Sequence, residues 1–193
     1  IKNDVVGLVK AINKSMGINK VLFYGLPGTG KTESVYQIAR LLNRDLLTVD
    51  FEQLVDSRLG QTAKNISSLF DEISRVQYQN VIILFDEIDA IVLDRVNNND
   101  LREMGRVTST FLRELDSLHE DVVIIATTNL IKSFDKALIR RFDSIISFDR
   151  YSKEDLIEIA DSILLNFLKK AESSKQDLRL FHKILKNSDR LPN

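Results

Sequence analysis

Gly25-Leu26-Pro27-Gly28-Thr29-Gly30-Lys31-Thr32 decides how this chain folds, because of what stands on either side of it. Before it runs Val21–Tyr24, a short apolar stretch; after it Val35, Ile38, Ala39 and Leu42 fall at i, i+3, i+4 and i+7. A strand, a glycine-rich turn and an amphipathic helix, in that order, form the setting in which G-x-x-x-x-G-K-[ST] binds phosphate. The glycines let backbone N–H groups turn inward around an anion, and the helix N-terminus adds the positive end of its dipole. The chain has seven glycines and two prolines, and three of those glycines and one proline crowd into residues 25–30. Lys31 is expected to neutralise the β- and γ-phosphates of ATP, and the Thr32 hydroxyl to ligate Mg²⁺. Gly25, Pro27, Gly28, Thr29, Gly30 and Glu33 complete the expected nucleotide contacts.

Outward from this loop, β-branched apolar runs recur at Leu46–Val49, Val81–Phe85, Val122–Ala126 and Ile145–Phe148. Their near-continuous hydrophobicity predicts strands buried on both faces, as in a parallel sheet. Helical stripes lie between them: Ile66, Leu69, Phe70 and Ile73, then Met104, Thr108, Phe111, Leu115 and Leu118. Alternating strands and helices imply βαβ units and an α/β fold. From Ser152 the character changes to helix alone. Ser152-Lys153-Glu154-Asp155 resembles a capping box, and a second helix is expected over about 176–186. The core is therefore expected over residues 1–150 and a partial helical subdomain over 151–193.

Val81–Phe85 runs straight into Asp86-Glu87, with Asp89 two residues later. Two adjacent carboxylates at the tip of a buried strand repel each other and lose solvation. A cation and a water resolve that conflict: Asp86 holds Mg²⁺ through its water shell, and Glu87 orients or deprotonates the attacking water. The bland alternative is that these acids cap the following helix, a role that also suits Asp89. Glu87 favours a hydrolase over a binding-only switch.

Composition narrows the field further. The 193 residues suffice for one α/β domain with a small appendage. Lys and Arg number 27 against 28 Asp and Glu, a balance that disfavours a chain built to coat nucleic acid. There are no cysteines, which excludes thiolate zinc sites and disulfides, and the two histidines are far apart. No apolar run reaches the length of a membrane span and no signal peptide is visible, so a cytoplasmic enzyme is expected. The first residue is Ile, which reads as a piece of a longer protein.

Four ordered motifs now carry a resemblance. Residues 25–32, Phe85-Asp86-Glu87-Ile88-Asp89-Ala90, Ala126-Thr127-Thr128-Asn129 and Ala137-Leu138-Ile139-Arg140-Arg141-Phe142-Asp143 closely resemble the AAA ATPases within the AAA+ superfamily of P-loop NTPases. The likeness spans about residues 4–150. It implies a three-layer sandwich with a five-stranded parallel sheet in the order 5-1-4-3-2, a helical lid, and homo-oligomeric rings, usually hexamers. It also implies that Asn129 is the sensor that positions the lytic water, and that Arg140 and Arg141 are arginine fingers reaching into a neighbour's site. Loop capping is the bland reading for Asn129, and compensation of a helix dipole is that for the two arginines. Asp4-Val5-Val6-Gly7 resembles the segment that packs on adenine, with Val5 and Val6 as its contacts.

Two departures from the family pattern bear on function. Where members that thread polypeptides carry an aromatic-aliphatic-Gly triplet, this chain has Arg58-Leu59-Gly60, so the aromatic grip is missing. The lid stops after about two helices, and no residue takes the second sensor's part, so this piece alone is expected to bind nucleotide and hydrolyse it poorly. Three readings remain: an ATPase that remodels proteins or protein complexes, a AAA+ ATPase acting on DNA, and a nucleotide-dependent scaffold. The first is favoured, and near-neutral charge disfavours the second.

Overall fold

The computed structural model describes residues 1–54, 60–76, 78–89 and 101–170. Two compact units divide the chain, Ile1–Phe148 and Asp149–Asn193. In the first, a five-stranded sheet has the order β2-β3-β4-β1-β5, every neighbouring pair parallel. The strands are β1 (Lys20–Tyr24), β2 (Asp45–Asp50), β3 (Val81–Asp86), β4 (Val123–Thr128) and β5 (Ser144–Ser147). This is the order 5-1-4-3-2 read from the other edge. The helices are α1 (Lys2–Asn13), α2 (Lys31–Leu42), α3 (Gln61–Ile73), α4 (Leu101–Ser117) and the short α5 (Lys136–Ile139). In the second unit, α6 covers Lys153–Lys170.

Strand parity assigns the two faces of the sheet. Leu22, Ile83, Phe85, Ile124 and Ala126 point into one cluster with Ile66, Phe70 and Ile73 of α3 and Val107, Phe111 and Leu115 of α4. Inside it Phe51, Phe70, Phe85 and Phe111 pack with ring centroids 5.1 to 6.1 Å apart, mostly edge to face, the arrangement their quadrupoles favour. Alternate residues, Val21, Phe23, Ile82, Leu84, Val123 and Ile125, are also buried. They face the other way, where α2 packs across β2, β3 and β4 and against α1. Helices therefore cover both faces, as a parallel sheet requires.

The prediction of burial on both faces holds for the centre of the sheet and fails at its rims. β2 is an edge strand whose burial runs exposed, half-buried, exposed, exposed, half-buried, exposed, and Leu47 is 43% exposed. β5 forms the other edge and leaves Ile145 at 41%. An apolar run fixes strand identity but not position in a sheet, so the edges read like the centre.

Helix α1 also went unread. Leu8, Ala11 and Ile12 are its buried residues, one stripe at helical spacing, and they anchor a segment read only for its likeness to an adenine contact. The second unit opens as predicted. Asp155 N donates to Ser152 Oγ (3.1 Å) while Ser152 N donates back to Asp155 Oδ2 (2.9 Å). That is a reciprocal capping box with Asp in the Glu position. Arg58 and Leu59, the loop 94–100 and the expected helix over 176–186 lie outside the described residues.

Candidate active site

Register brings the site together before any side chain is considered. Tyr24 of β1 pairs with Thr128 of β4 and Ser147 of β5, and Asp50 of β2 with Asp86 of β3. All strands point the same way, so the phosphate loop, Asp86-Glu87 and Asn129 leave the sheet along one edge. The carboxyl ends of strands in an open α/β sheet are where ligands bind.

The loop from Gly25 to Gly30 joins β1 to α2. Gly25 N donates to Thr128 O (3.3 Å), which extends the β1–β4 ladder by one residue. Gly28 and Gly30 have φ of 77° and 87°, values that a side chain disfavours and that turn successive amides inward. Thr29 Oγ1 closes the turn on Leu26 O (2.8 Å). Lys31 opens α2 and is only 7% exposed. Its Nζ donates to Gly25 O (2.8 Å), Leu26 O (2.9 Å) and Asn129 Oδ1 (2.7 Å). A buried ammonium is stable only with such partners.

The acidic tip of β3 is tied to the end of β4. Thr127 is fully buried. Its hydroxyl donates to Asp86 Oδ1 (2.6 Å) and accepts from Glu87 N (2.9 Å), while its carbonyl accepts from Ile88 N (3.1 Å). Glu87 has φ 51°, a left-handed conformation that costs a non-glycine residue about 1–3 kcal/mol and persists where neighbours enforce it. Here Thr127 restrains it, and exposed Glu87 lines the same cavity as the phosphate loop. Thr32 Oγ1 donates to the same Asp86 oxygen (3.0 Å). A hydroxyl and a carboxylate side by side at the phosphate loop are hard oxygen donors of the kind that would suit Mg²⁺.

A cavity of about 270 Å³ is lined by Pro27, Gly28, Gly30, Lys31, Thr32, Glu33, Glu87, Thr127 and Asn129. A larger concavity of about 580 Å³ lies elsewhere on the unit and has none of these residues in its lining. Arg140 and Arg141 stand apart from the phosphate-loop cavity. Asp135 caps α5 by accepting from Leu138 N (2.9 Å), and buried Leu138 and Phe142 pin the segment down. Arg140 is exposed. Arg141 is 39% exposed, and its Nε lies 2.8 Å from Asp116 Oδ1 of α4, close enough for an ion pair but off the axis of a hydrogen bond. Val5 is half-buried and Val6 44% exposed; both lie on α1 and neither lines the cavity.

Comparison with known sequences agrees with this geometry. Residues 21–150 match the family described as "ATPase family associated with various cellular activities (AAA)". The chain belongs to the AAA family. It is 35% identical over 154 residues to an uncharacterized AAA family ATPase, y4kL, of Sinorhizobium fredii, covering 76% of this chain and 46% of that protein. It is 37% identical over 145 residues to the proteasome-activating nucleotidase of Methanoregula boonei, covering 72% and 33%. With the cell division cycle protein 48 homolog of Archaeoglobus fulgidus it shares 36% over 122 residues, covering 62% and 16%. The AAA domain thus spans less than half the length of each of these relatives. It is an ATPase domain of a nucleotide-binding family. Among the described residues no helix is long and apolar enough to cross a membrane.

What the sequence reading lacked was the polar layer beneath the motifs. In the sequence Thr127 stands out only within a family motif, and Asp89 suits a helix cap. Asp89 is instead 6% exposed and bonded to the end of β4. Asp116 is a single acid on a solvated helix, which carries no signal of its own in sequence.

Proposed function

We propose that this AAA domain hydrolyses Mg·ATP within a homo-oligomeric ring, commonly a hexamer, and that the whole protein uses the cycle to remodel a protein or protein complex. Water attacks the γ-phosphate in line with the leaving oxygen. Lys31 and the loop amides hold the phosphates, Glu87 takes the water's proton, and Asn129 orients that water. Thr32 and Asp86 would hold Mg²⁺, which would supply neutralising charge to the phosphates. Arg141, with Arg140 beside it, stabilises transition-state charge in the next subunit's site. Val5 and Val6 contact the adenine, and Asp149–Asn193 contributes part of the lid.

One observation carries the shared site. Lys31, Thr32, Glu87 and Asn129 line one cavity, while both arginines lie outside it on a separate segment. A cation needed for phosphoryl transfer but held away from its own phosphate loop fits a site completed by a neighbour. A protein target, rather than DNA, is supported by the near-neutral charge and by the names of relatives such as the proteasome-activating nucleotidase.

The test uses the full-length protein. ATPase rate per subunit should rise with protein concentration until the oligomer is complete. Glu87→Gln should retain ATP while losing turnover by about 10²–10⁴-fold. Arg141→Ala subunits mixed into wild type should depress activity by more than simple dilution. A per-subunit rate independent of concentration, with no poisoning by Arg141→Ala, would count against a shared site.

A further inference from the structure

Asp89 lies three residues beyond the metal-binding acid and outside the nucleotide cavity. A carboxylate only 6% exposed is costly unless its lone pairs are used. Both oxygens of Asp89 are used, and on consecutive residues of one strand end. Oδ1 accepts from the Thr128 hydroxyl and Oδ2 from the Asn129 backbone N–H (2.9 Å). The Thr128 hydroxyl in turn accepts from Leu130 N (2.9 Å). One acid therefore fixes the backbone of residues 128–130 where β4 ends and the chain turns. Asn129 is the middle residue of the three, and its side chain reaches the Lys31 ammonium at 2.7 Å.

Bonds to an ionised group are about twice as strong as neutral ones and more exacting in direction. A carboxylate buried beneath the turn therefore sets the direction in which Asn129 leaves the sheet. We infer that Asp89 is a positioning residue for ATP hydrolysis, acting through the backbone of Asn129 to aim that side chain at the γ-phosphate and its water. The inference rests on the role proposed above for Asn129. It assigns Asp89 to the hydrolytic step and not to nucleotide binding, because Lys31 keeps two backbone acceptors, Gly25 O and Leu26 O, whatever happens to Asn129.

A double-mutant cycle on the full chain tests the link. It combines steady-state ATPase kinetics with titration of a fluorescent ATP analogue. N129A should lower kcat by tenfold or more, on the order of what a misplaced group costs, with little change in KM. D89A should match that loss and keep its affinity for the analogue. D89A/N129A should fall no further than either single variant. D89N should recover most of the rate, because its amide oxygen still accepts from Asn129 N–H and its NH₂ can donate to the Thr128 hydroxyl. Should D89A fail to fold, T128V removes one of the two anchors and is expected to lower kcat without changing affinity.

Losses that multiply in the double variant would overturn the link while leaving Asn129's own role intact. Loss of affinity in step with rate in D89A, with no recovery in D89N, would make Asp89 a structural cap only. An N129A variant as active as wild type would overturn the role of Asn129 and this inference with it.

Discussion

Thr127 shows how much of the proposed catalytic geometry a single hydroxyl sets. It donates to Asp86 and accepts from Glu87 N, so it fixes the carboxylate of one acid and the backbone of the next. It also restrains Glu87 at φ 51°. Thr127→Val keeps the shape and removes the hydroxyl. The Glu87 N–H then loses its acceptor, at a cost of about 1–3 kcal/mol, and the left-handed turn at Glu87 loses its restraint. The expected outcome is a kcat lower by tenfold or more, following from misplacement of the base, with ATP affinity reduced less. Stopped-flow or steady-state hydrolysis beside a binding titration separates the two effects. Lys31, Thr32, Asp86 and Glu87, which the fold brings together, could be singled out in sequence because each stands in a short local motif. Thr127 and Asp89 could not, because each works through hydrogen bonds across about forty positions, and only strand register brings those positions together.

Among the elements, α6 has its start written most openly. Ser152 and Asp155 exchange hydrogen bonds, and four residues of sequence predicted it. The backbone N–H of Ser152, and then its hydroxyl, hold the Asp155 carboxyl below its ordinary value of 3.8. The sign follows from that direction. The folded-state pKa is the lower one, so the cap contributes fully above the unfolded value and is lost as pH falls through the folded value. Protection of the first-turn amides of α6 against hydrogen exchange should therefore be flat from neutral pH to about 5 and fall below 4. Asp155→Asn should flatten that acid limb, and an unchanged limb would remove Asp155 from the account. Elements whose ends are set by tertiary packing were less legible. Nothing local tells that β2 and β5 are edges; their exposure follows from the order β2-β3-β4-β1-β5, which is a property of the assembled sheet.

Across the α/β unit, the fold serves the site by lining up the carboxyl ends of its strands, and that alignment depends on a core shared by sheet and helices. Alternation of strand and helix was enough to predict a parallel sheet, but strand order entered only through family resemblance, since hydrophobic runs do not specify neighbours. Phe85 links the two levels: its ring packs with Phe51, Phe70 and Phe111, and the next residue is Asp86. Phe111 is fully buried on α4 and touches the other three rings. Phe111→Ala should destabilise the fold by about 3–5 kcal/mol, the cost of truncating a buried aromatic ring. In a protein of this size that lowers the thermal midpoint by about 2–4 °C for each kcal/mol. Phe111 does not line the cavity at the phosphate loop, so the variant that remains folded should still bind nucleotide. Binding to the folded state alone then returns about 2.7 kcal/mol at a hundredfold excess over Kd. Calorimetric scans of wild type and Phe111→Ala, each with and without Mg·ADP, measure both terms. Equal ligand-induced shifts would mean that the core sets stability and the strand tips set binding. A variant that stays folded yet gains nothing from nucleotide would mean instead that the four-ring cluster holds the tip of β3 in register.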